Sequence, residues 1–348
     1  MLDNSTTLIR QNIVELKRKV SGTKKKIVIV THWSPDGDAM GSSLGLFHVL
    51  KKLGHSVQVI VPNPFPEFLS WLPGSDTVWV SNADSSKKIL KRLNEAEIVF
   101  CLDFNVLKRI DHLGEWVEKS PAQKVLVDHH VQPDGFAHFV FHDVKASSTC
   151  ELVYLLLDQL KLTAHVNSKV AQCLYTGIMT DTGSFRFPST RPVTHEIAAA
   201  LLRAGANHTL IHEHIYDTNT YGRLALMGFG LQKKLKVLDQ YATGLISFSE
   251  AEQKKFGYQK GDTEGLVNYP LSIKGVRFSA FFAERDGVIK VSFRSKGDFD
   301  VNQFARKHFE GGGHVNAAGG ISKQSLNQTI KKFNDLLPLY ANQLVKAK

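Results

Sequence analysis

The chain has 348 residues, 43% of them hydrophobic and 22% charged, which suits two domains of roughly 100 to 200 residues, each with its own core, and excludes a disordered chain. Its formal charge of +10 favours a polyanionic partner, since clustered cations concentrate phosphates at the surface. No apolar run reaches the roughly 20 residues that span a bilayer, no signal peptide is visible, and only Cys101, Cys150 and Cys173 are present, none in a C-x-x-C pair. A disulfide framework and a cysteine zinc site are thereby excluded, and a cytoplasmic location without membrane contact is expected.

The first twenty residues, MLDNSTTLIRQNIVELKRKV, alternate apolar and charged positions as an amphipathic surface helix does. Short β-branched runs then alternate with helical segments, which predicts a mostly parallel, doubly wound α/β sheet. The strands are expected at 26–31, 57–61, 77–80, 97–103 and 124–128, and the helices at 40–53, 86–94, 148–160 and 168–180. From Pro192 to Leu238 the apolar residues recur every three or four positions, as in a nearly continuous connecting helix. Strands of a second sheet are expected at 242–248, 276–284 and 288–295, with a closing helix over 325–344. The domains are therefore read as 1–191, a connector 192–238, and a smaller α/β domain 239–348. Lys24 to Lys26, Lys87-Lys88 and Lys233-Lys234 read as solvated helix faces.

The strongest local signal follows the first strand, in His32-Trp-Ser-Pro-Asp36-Gly-Asp38. One imidazole and two carboxylates enter a tight turn, where Pro35 and Gly37 supply the fixed and the permissive backbone angles. Helix capping explains one aspartate, Asp38 being the better candidate, but not His32 together with both acids. The strand at 97–103 ends in Asp103, and the strand at 124–128 runs into Asp128-His129-His130. Open parallel sheets bind ligands beyond the carboxyl ends of their strands, so three strands deliver donors to one edge. A fourth acid, Asp181, ends a helical run of small residues. Hard oxygen and nitrogen donors without a thiolate suit Mn²⁺, and Mg²⁺ less well. Two such ions about 3.5 to 4 Å apart, sharing one carboxylate, activate water and clamp a phosphate for in-line attack.

His32-x-x-x-Asp36-x-Asp38, Asp103, Asp128-His129-His130, Asp181 and the C-terminal Gly311-Gly312-Gly313-His314-x-x-Ala-Ala-Gly occur in one order over nearly the whole chain. Together they resemble the DHH phosphoesterases, in the compact two-domain subgroup of nanoRNases and 3′-phosphoadenosine 5′-phosphate phosphatases. The resemblance implies one metal ion on His32, Asp36 and Asp103, and a second on Asp38, Asp103, His129 and Asp181, with Mn²⁺ in both sites and Mg²⁺ or Co²⁺ as substitutes. It also implies that His130 faces the scissile phosphate, that Asp128 orients a ligand, and that Ser147, Ser148 and Thr149 lie close to the metals. Gly312, Gly313 and His314 would hold a substrate phosphate, the successive glycine amides forming a concave anion site, and Arg294 is a second phosphate clamp.

The substrate implied is very short RNA or a small nucleotide such as adenosine 3′,5′-bisphosphate. A cyclic-dinucleotide or linear-dinucleotide phosphodiesterase is the nearest alternative, but the cyclic-dinucleotide kind commonly carries membrane and sensory segments ahead of the metal domain. An inorganic pyrophosphatase would lack the glycine signature, a long-substrate exonuclease would have further domains, and an idle nucleotide-binding module would have lost Asp103 or His129. A homodimer is left open.

Overall fold

The computed structural model describes residues 10–259 and 261–345; the expected N-terminal helix is present as α1 (Arg10–Ser21), and residues 1–9 of that expectation lie outside the described residues. The chain divides into two compact units, one ending at Thr218 and the other beginning at Asn219.

The first unit is built on β1 (Lys26–Thr31), α2 (Gly37–Lys52), β2 (Ser56–Val61), β3 (Trp79–Val80), α3 (Ser86–Asn94), β4 (Ile98–Leu102), α4 (Leu113–Lys119), β5 (Gln123–Asp128), β6 (Phe139–His142), α5 (Thr149–Gln159), α6 (Ser168–Asp181), α7 (Pro192–Arg203) and α8 (His208–Tyr216). Its six strands lie in the order β3-β2-β1-β4-β5-β6, and every pairing is parallel. β1 and β4 are continuous apolar runs because both faces of the sheet are covered. Ile27, Ile29, Phe100 and Val125 pack into the core on the side of α2, α5 and α6. Val28, Val30, Val99 and Leu126, one residue out of phase, pack against α3 and α4 on the other side. The strand order reverses between β1 and β4, which puts a crevice at their carboxyl ends.

β6 and α4 carried no clear signal, being only four and seven residues long. α6 lies against α2 and α5 at a position where only glycine fits. A β-carbon at Gly177 would run into Cys150 Sγ and lie 2.8 Å from an Asp38 carboxylate oxygen.

The expected single helix from Pro192 to Leu238 is interrupted. Gly205 takes φ +98°, Asn207 accepts the Leu210 amide at 3.2 Å to start α8, and Thr220 accepts that of Arg223 at 3.1 Å to start α9 (Tyr221–Phe229). Side-chain capping of this kind stops one helix and sets the next, and the apolar period does not report it.

The second unit continues with β7 (Lys236–Leu238), β8 (Thr243–Phe248), α10 (Glu250–Lys255), β9 (Phe278–Arg285), β10 (Val288–Ser295), α11 (Val301–His308), β11 (Gly312–His314), β12 (Ala317–Ser322) and α12 (Leu326–Val345). Its mixed sheet has the order β11-β12-β10-β9-β8-β7, and α11 and α12 cover a phenylalanine-rich core that includes Phe278, Phe293, Phe304 and Phe333. No helix among the described residues is long and apolar enough to cross a membrane.

Candidate metal centre

Three neighbouring strands end where the donors begin. His32 follows β1, Asp103 follows β4, and Asp128 is the last residue of β5, with His129 and His130 after it. Asp103 turns away from its strand at φ +66°, a left-handed conformation that aspartate tolerates better than most side chains. Its amide still reaches Val127 C=O at 3.1 Å, so the sheet ladder ends on the residue that turns inward.

Asp36 is the N-cap of α2, its Oδ1 accepting the amides of Asp38 and Ala39 at 3.0 Å each. Sequence favoured Asp38 for that role. Asp38 is instead buried in the first turn, where the opening amides of α5 hold both of its oxygens: Thr149 N–H donates to Oδ2 at 2.6 Å and Cys150 N–H to Oδ1 at 2.8 Å. The buried positive end of the α5 dipole thus faces a carboxylate. Thr149 also donates its hydroxyl to Asp103 Oδ1 at 3.0 Å, and Ser148 caps α5 by accepting the Glu151 amide at 3.0 Å.

Beside a group of Asp103, Asp128 and His130, these contacts produce two donor groups within coordinating reach, His32 with Asp36 and Asp103, and Asp38 with His129 and Asp181. Asp103 faces both: Oδ2 is 3.3 Å from His32 Nε2 and Oδ1 is 3.5 Å from His129 Nε2. His129 Nε2 is also 3.5 Å from Asp181 Oδ2. The two imidazoles are held in one tautomer, because Nδ1 of His32 donates to Trp33 C=O at 2.8 Å and Nδ1 of His129 to Ala146 C=O at 3.2 Å. Backbone acceptors at Nδ1 leave Nε2 facing the carboxylates, where it can exchange a proton for a metal ion. His130 is oriented differently: its Nδ1 donates to Asp128 Oδ1 at 2.7 Å, and its own amide also reaches Asp128 at 3.2 Å.

The electrostatics call for cations. Burial, with Asp103 and Asp181 nearby, pushes Asp38 well above the carboxylate range, and burial raises Asp181 to about 7 against the charge of His129. Burial would lower His32, but its contacts with Asp103 and Asp36 outweigh that and raise it to about 10. His129 is likewise raised by Asp103 and Asp181 against its burial. Four carboxylates sharing one pocket with two imidazoles are balanced only by captured protons, and a divalent ion does the same with greater charge at each group. The oxygen and nitrogen donor set fits a divalent metal ion.

The sequence-derived substrate residues lie in the second unit. The ladders pair Arg294 with Ala317 and Ala317 with His314, so the arginine and the histidine stand on one face, two strand spacings or roughly 10 Å apart. Gly312, Gly319 and Ser292 form the next row of that face, and Phe293, Ala318 and Gly313 point to the core side. The face between Arg294 and His314 is therefore built of small residues.

The expected concave run of glycine amides differs from what is found. Gly312 to His314 form an edge strand, and the Gly313 amide donates to Asn302 Oδ1 at 2.9 Å. That same oxygen accepts Arg306 Nε at 3.0 Å. Neither residue was picked out from the sequence; their i, i+4 spacing directly after the Asp300 cap was the available sign.

A model described as the DHH family, N-terminal domain, matches residues 26–178, and one described as the DHHA1 domain matches residues 240–342. The bifunctional oligoribonuclease and PAP phosphatase NrnA of Bacillus subtilis (strain 168) is 30% identical over 311 residues, spanning 89% of this chain and 93% of that protein. An exopolyphosphatase-related protein from Bacteroides fragilis has the same fold with a TM-score of 0.94, at 41% identity over 99% of both chains. RecJ from Thermus thermophilus, solved in complex with Mn²⁺, shares the fold at a TM-score of 0.53 and 13% identity, over 98% of this chain and 56% of that one. With the donor edge, the domain order and a relative matching over nearly its full length, the chain belongs to the DHH family of phosphoesterases.

Proposed function

We propose that this phosphoesterase removes nucleotides from very short oligoribonucleotides and the terminal phosphate from adenosine 3′,5′-bisphosphate, using two Mn²⁺ ions. The observation that carries the reading is Asp103, whose two oxygens face two separate donor groups. His32, Asp36 and Asp103 would hold one ion, and Asp38, Asp103, His129 and Asp181 the other. Ions held there would polarise the phosphate oxygens and acidify an attacking water.

The chain's own side chains do the rest. Asp128 fixes His130 with its proton on Nδ1, so a proton exchanged with the substrate moves at Nε2. Thr149 keeps the shared carboxylate from rotating. Arg294 and His314 would flank a substrate phosphate across the face of Gly312 and Ala317, with Arg306 beside it. The substrate class is supported by the name of the Bacillus subtilis relative. A cytoplasmic location and a homodimer are both compatible with such substrates; light scattering on the pure chain decides the latter.

The test is a panel assayed with Mn²⁺: adenosine 3′,5′-bisphosphate, a 5′-phosphorylated diribonucleotide, a 20-nucleotide RNA, a cyclic dinucleotide, pyrophosphate and polyphosphate. Turnover of the first two above all others is expected. Preference for the cyclic dinucleotide or for polyphosphate overturns the substrate assignment, and no turnover of any of them overturns the reading as a whole.

A further inference from the structure

Glu151, one turn into α5, is fully buried, yet it belongs to neither donor group. Ser147 Oγ donates to its Oε2 at 2.6 Å, Thr194 Oγ1 to the same oxygen at 2.5 Å, and Arg191 Nη2 to Oε1 at 2.6 Å. Arg191 and Thr194 stand at the start of α7, and Thr194 Oγ1 also accepts the Arg191 amide at 3.1 Å. Arg191 Nη1 lies 3.5 Å from Asp143 Oδ2, and Asp143 Oδ1 accepts the Lys145 amide at 2.8 Å. The segment from Asp143 to Glu151 is therefore fastened at both ends to the beginning of α7.

That segment is also the one that holds the metal-binding side chains. Within residues 146–150, Ala146 C=O sets the His129 tautomer, the Thr149 and Cys150 amides grip Asp38, and the Thr149 hydroxyl fixes Asp103. Each of these contacts depends on where the backbone of the segment sits. A buried ion pair is weak evidence of stabilisation, because apolar side chains of similar volume often serve as well. A planar guanidinium bonded to one carboxylate and lying beside another does something an apolar patch does not, which is to set a position to a fraction of an ångström. Metal donors require placement within about 0.5 Å.

We propose that Glu151 and Arg191 are positioning residues for the metal centre, acting through residues 146–150 on Asp38, Asp103 and His129. The inference rests on the metal reading above. Displacing the segment shifts donors of both groups together, so metal affinity changes, while the nucleotide-binding face of the second unit is untouched.

The experiment measures Mn²⁺ binding to the metal-stripped full-length chain by following free Mn²⁺ with electron paramagnetic resonance. Glu151→Gln keeps the shape and still accepts from Ser147 and Thr194, but it turns an NH₂ group toward Arg191 and releases it. Arg191→Met removes the fork from the other side. Combining the two with Asp143→Asn, which keeps an oxygen for the Lys145 amide, leaves no unpaired charge and guards against a variant that merely misfolds. Leu93→Ala, in the core on the opposite face of the sheet, is the control for lost stability.

Both single variants and the combined one are expected to raise the Mn²⁺ Kd by roughly 10- to 100-fold, the usual effect of disturbing the groups that orient metal ligands. Arg191→Lys is expected to fall in between, and Leu93→Ala to lower Tm without moving Kd. At saturating Mn²⁺ the nucleotide KM is expected to stay unchanged in all of them. A wild-type Kd in the folded combined variant, or a rise no larger than that of Leu93→Ala, overturns the inference alone. Failure of the wild type to bind Mn²⁺ overturns the metal reading and this inference with it.

Discussion

Asp103→Asn separates the charge of the carboxylate proposed to serve both ions from its shape. Asparagine tolerates the left-handed backbone at this position, φ +66°, and its amide oxygen remains an acceptor for Thr149 Oγ1, now at 3.0 Å from Oδ1. The amide nitrogen must then take the place of Oδ2, 3.3 Å from His32 Nε2. An N–H there donates to the imidazole lone pair that would otherwise bind an ion, so the His32 group is blocked, and the His129 group loses one negative charge. Disturbing a group that merely orients a ligand costs about 10- to 100-fold per metal. Losing a ligand common to two ions should exceed the product of the lower values, and kcat/KM should fall by about 10³ to 10⁴, or roughly 4 to 5.5 kcal/mol of transition-state stabilisation. The assay is release of orthophosphate from adenosine 3′,5′-bisphosphate at saturating Mn²⁺, with bound manganese counted by mass spectrometry and the fold checked by circular dichroism. Turnover within tenfold of the wild type in a folded variant, or two ions still bound, refutes the shared-carboxylate argument.

Asp128→Asn should leave metal content unchanged and lower kcat by about 10² to 10⁴, since an amide facing His130 Nδ1 favours the wrong tautomer; loss of manganese would instead make Asp128 a ligand. His32 and Asp181 bind protons more tightly in the folded protein, at about 10 and about 7, than their usual values of 6.5 and 3.8. The metal-stripped protein should therefore lose stability as pH rises, Asp181's share between about 4 and 7 and His32's between about 6.5 and 10, and Mn²⁺ binding at pH 8 should release at least about one proton; a Tm that climbs from pH 7 to 10, or binding without proton release, contradicts the charge balance. Gly312→Val should fold, because the nearest side-chain atoms lie 3.5 Å or more from the new β-carbon, yet should raise KM at least about tenfold by crowding the phosphate face. Gly313→Val should instead destabilise the second unit, its β-carbon lying 2.7 Å from Ala318 Cα at φ +152°; equal Tm values for the two variants would refute that distinction. Di- to tetranucleotides should be degraded faster per chain end than a 20-nucleotide RNA, and equal rates would favour an open channel.

Much of the metal centre was legible in the sequence because a parallel strand announces itself. Unbroken runs such as Ile27 to Val30 and Ile98 to Leu102 are apolar since both their faces are covered, and the polar residue that ends such a run stands at the edge where ligands bind. On that principle His32, Asp103, Asp128, His129 and the turn with Asp36 and Asp38 were expected at one sheet edge, and β1, β4 and β5 end there. The second sheet was legible only where β-branched and aromatic residues alternate, in β8, β9 and β10. β11 and β12, made mainly of glycine and alanine, gave no such pattern, because what they require is close backbone approach rather than side-chain burial.

Other features were decided by contacts between residues far apart in the chain. Sequence favoured Asp38 over Asp36 as the cap of α2 and was wrong, because the choice depends on the start of α5, more than a hundred residues away, whose amides claim Asp38. Nor could it assign Glu151 and Arg191, which lie forty residues apart and are buried against one another only by packing. Local sequence determines which groups reach the sheet edge, since strand periodicity and turn chemistry are local. Their orientation, tautomer and charge arise from neighbours that meet only when the helices close over the sheet, because hydrogen-bond geometry and desolvation do not exist in the extended chain.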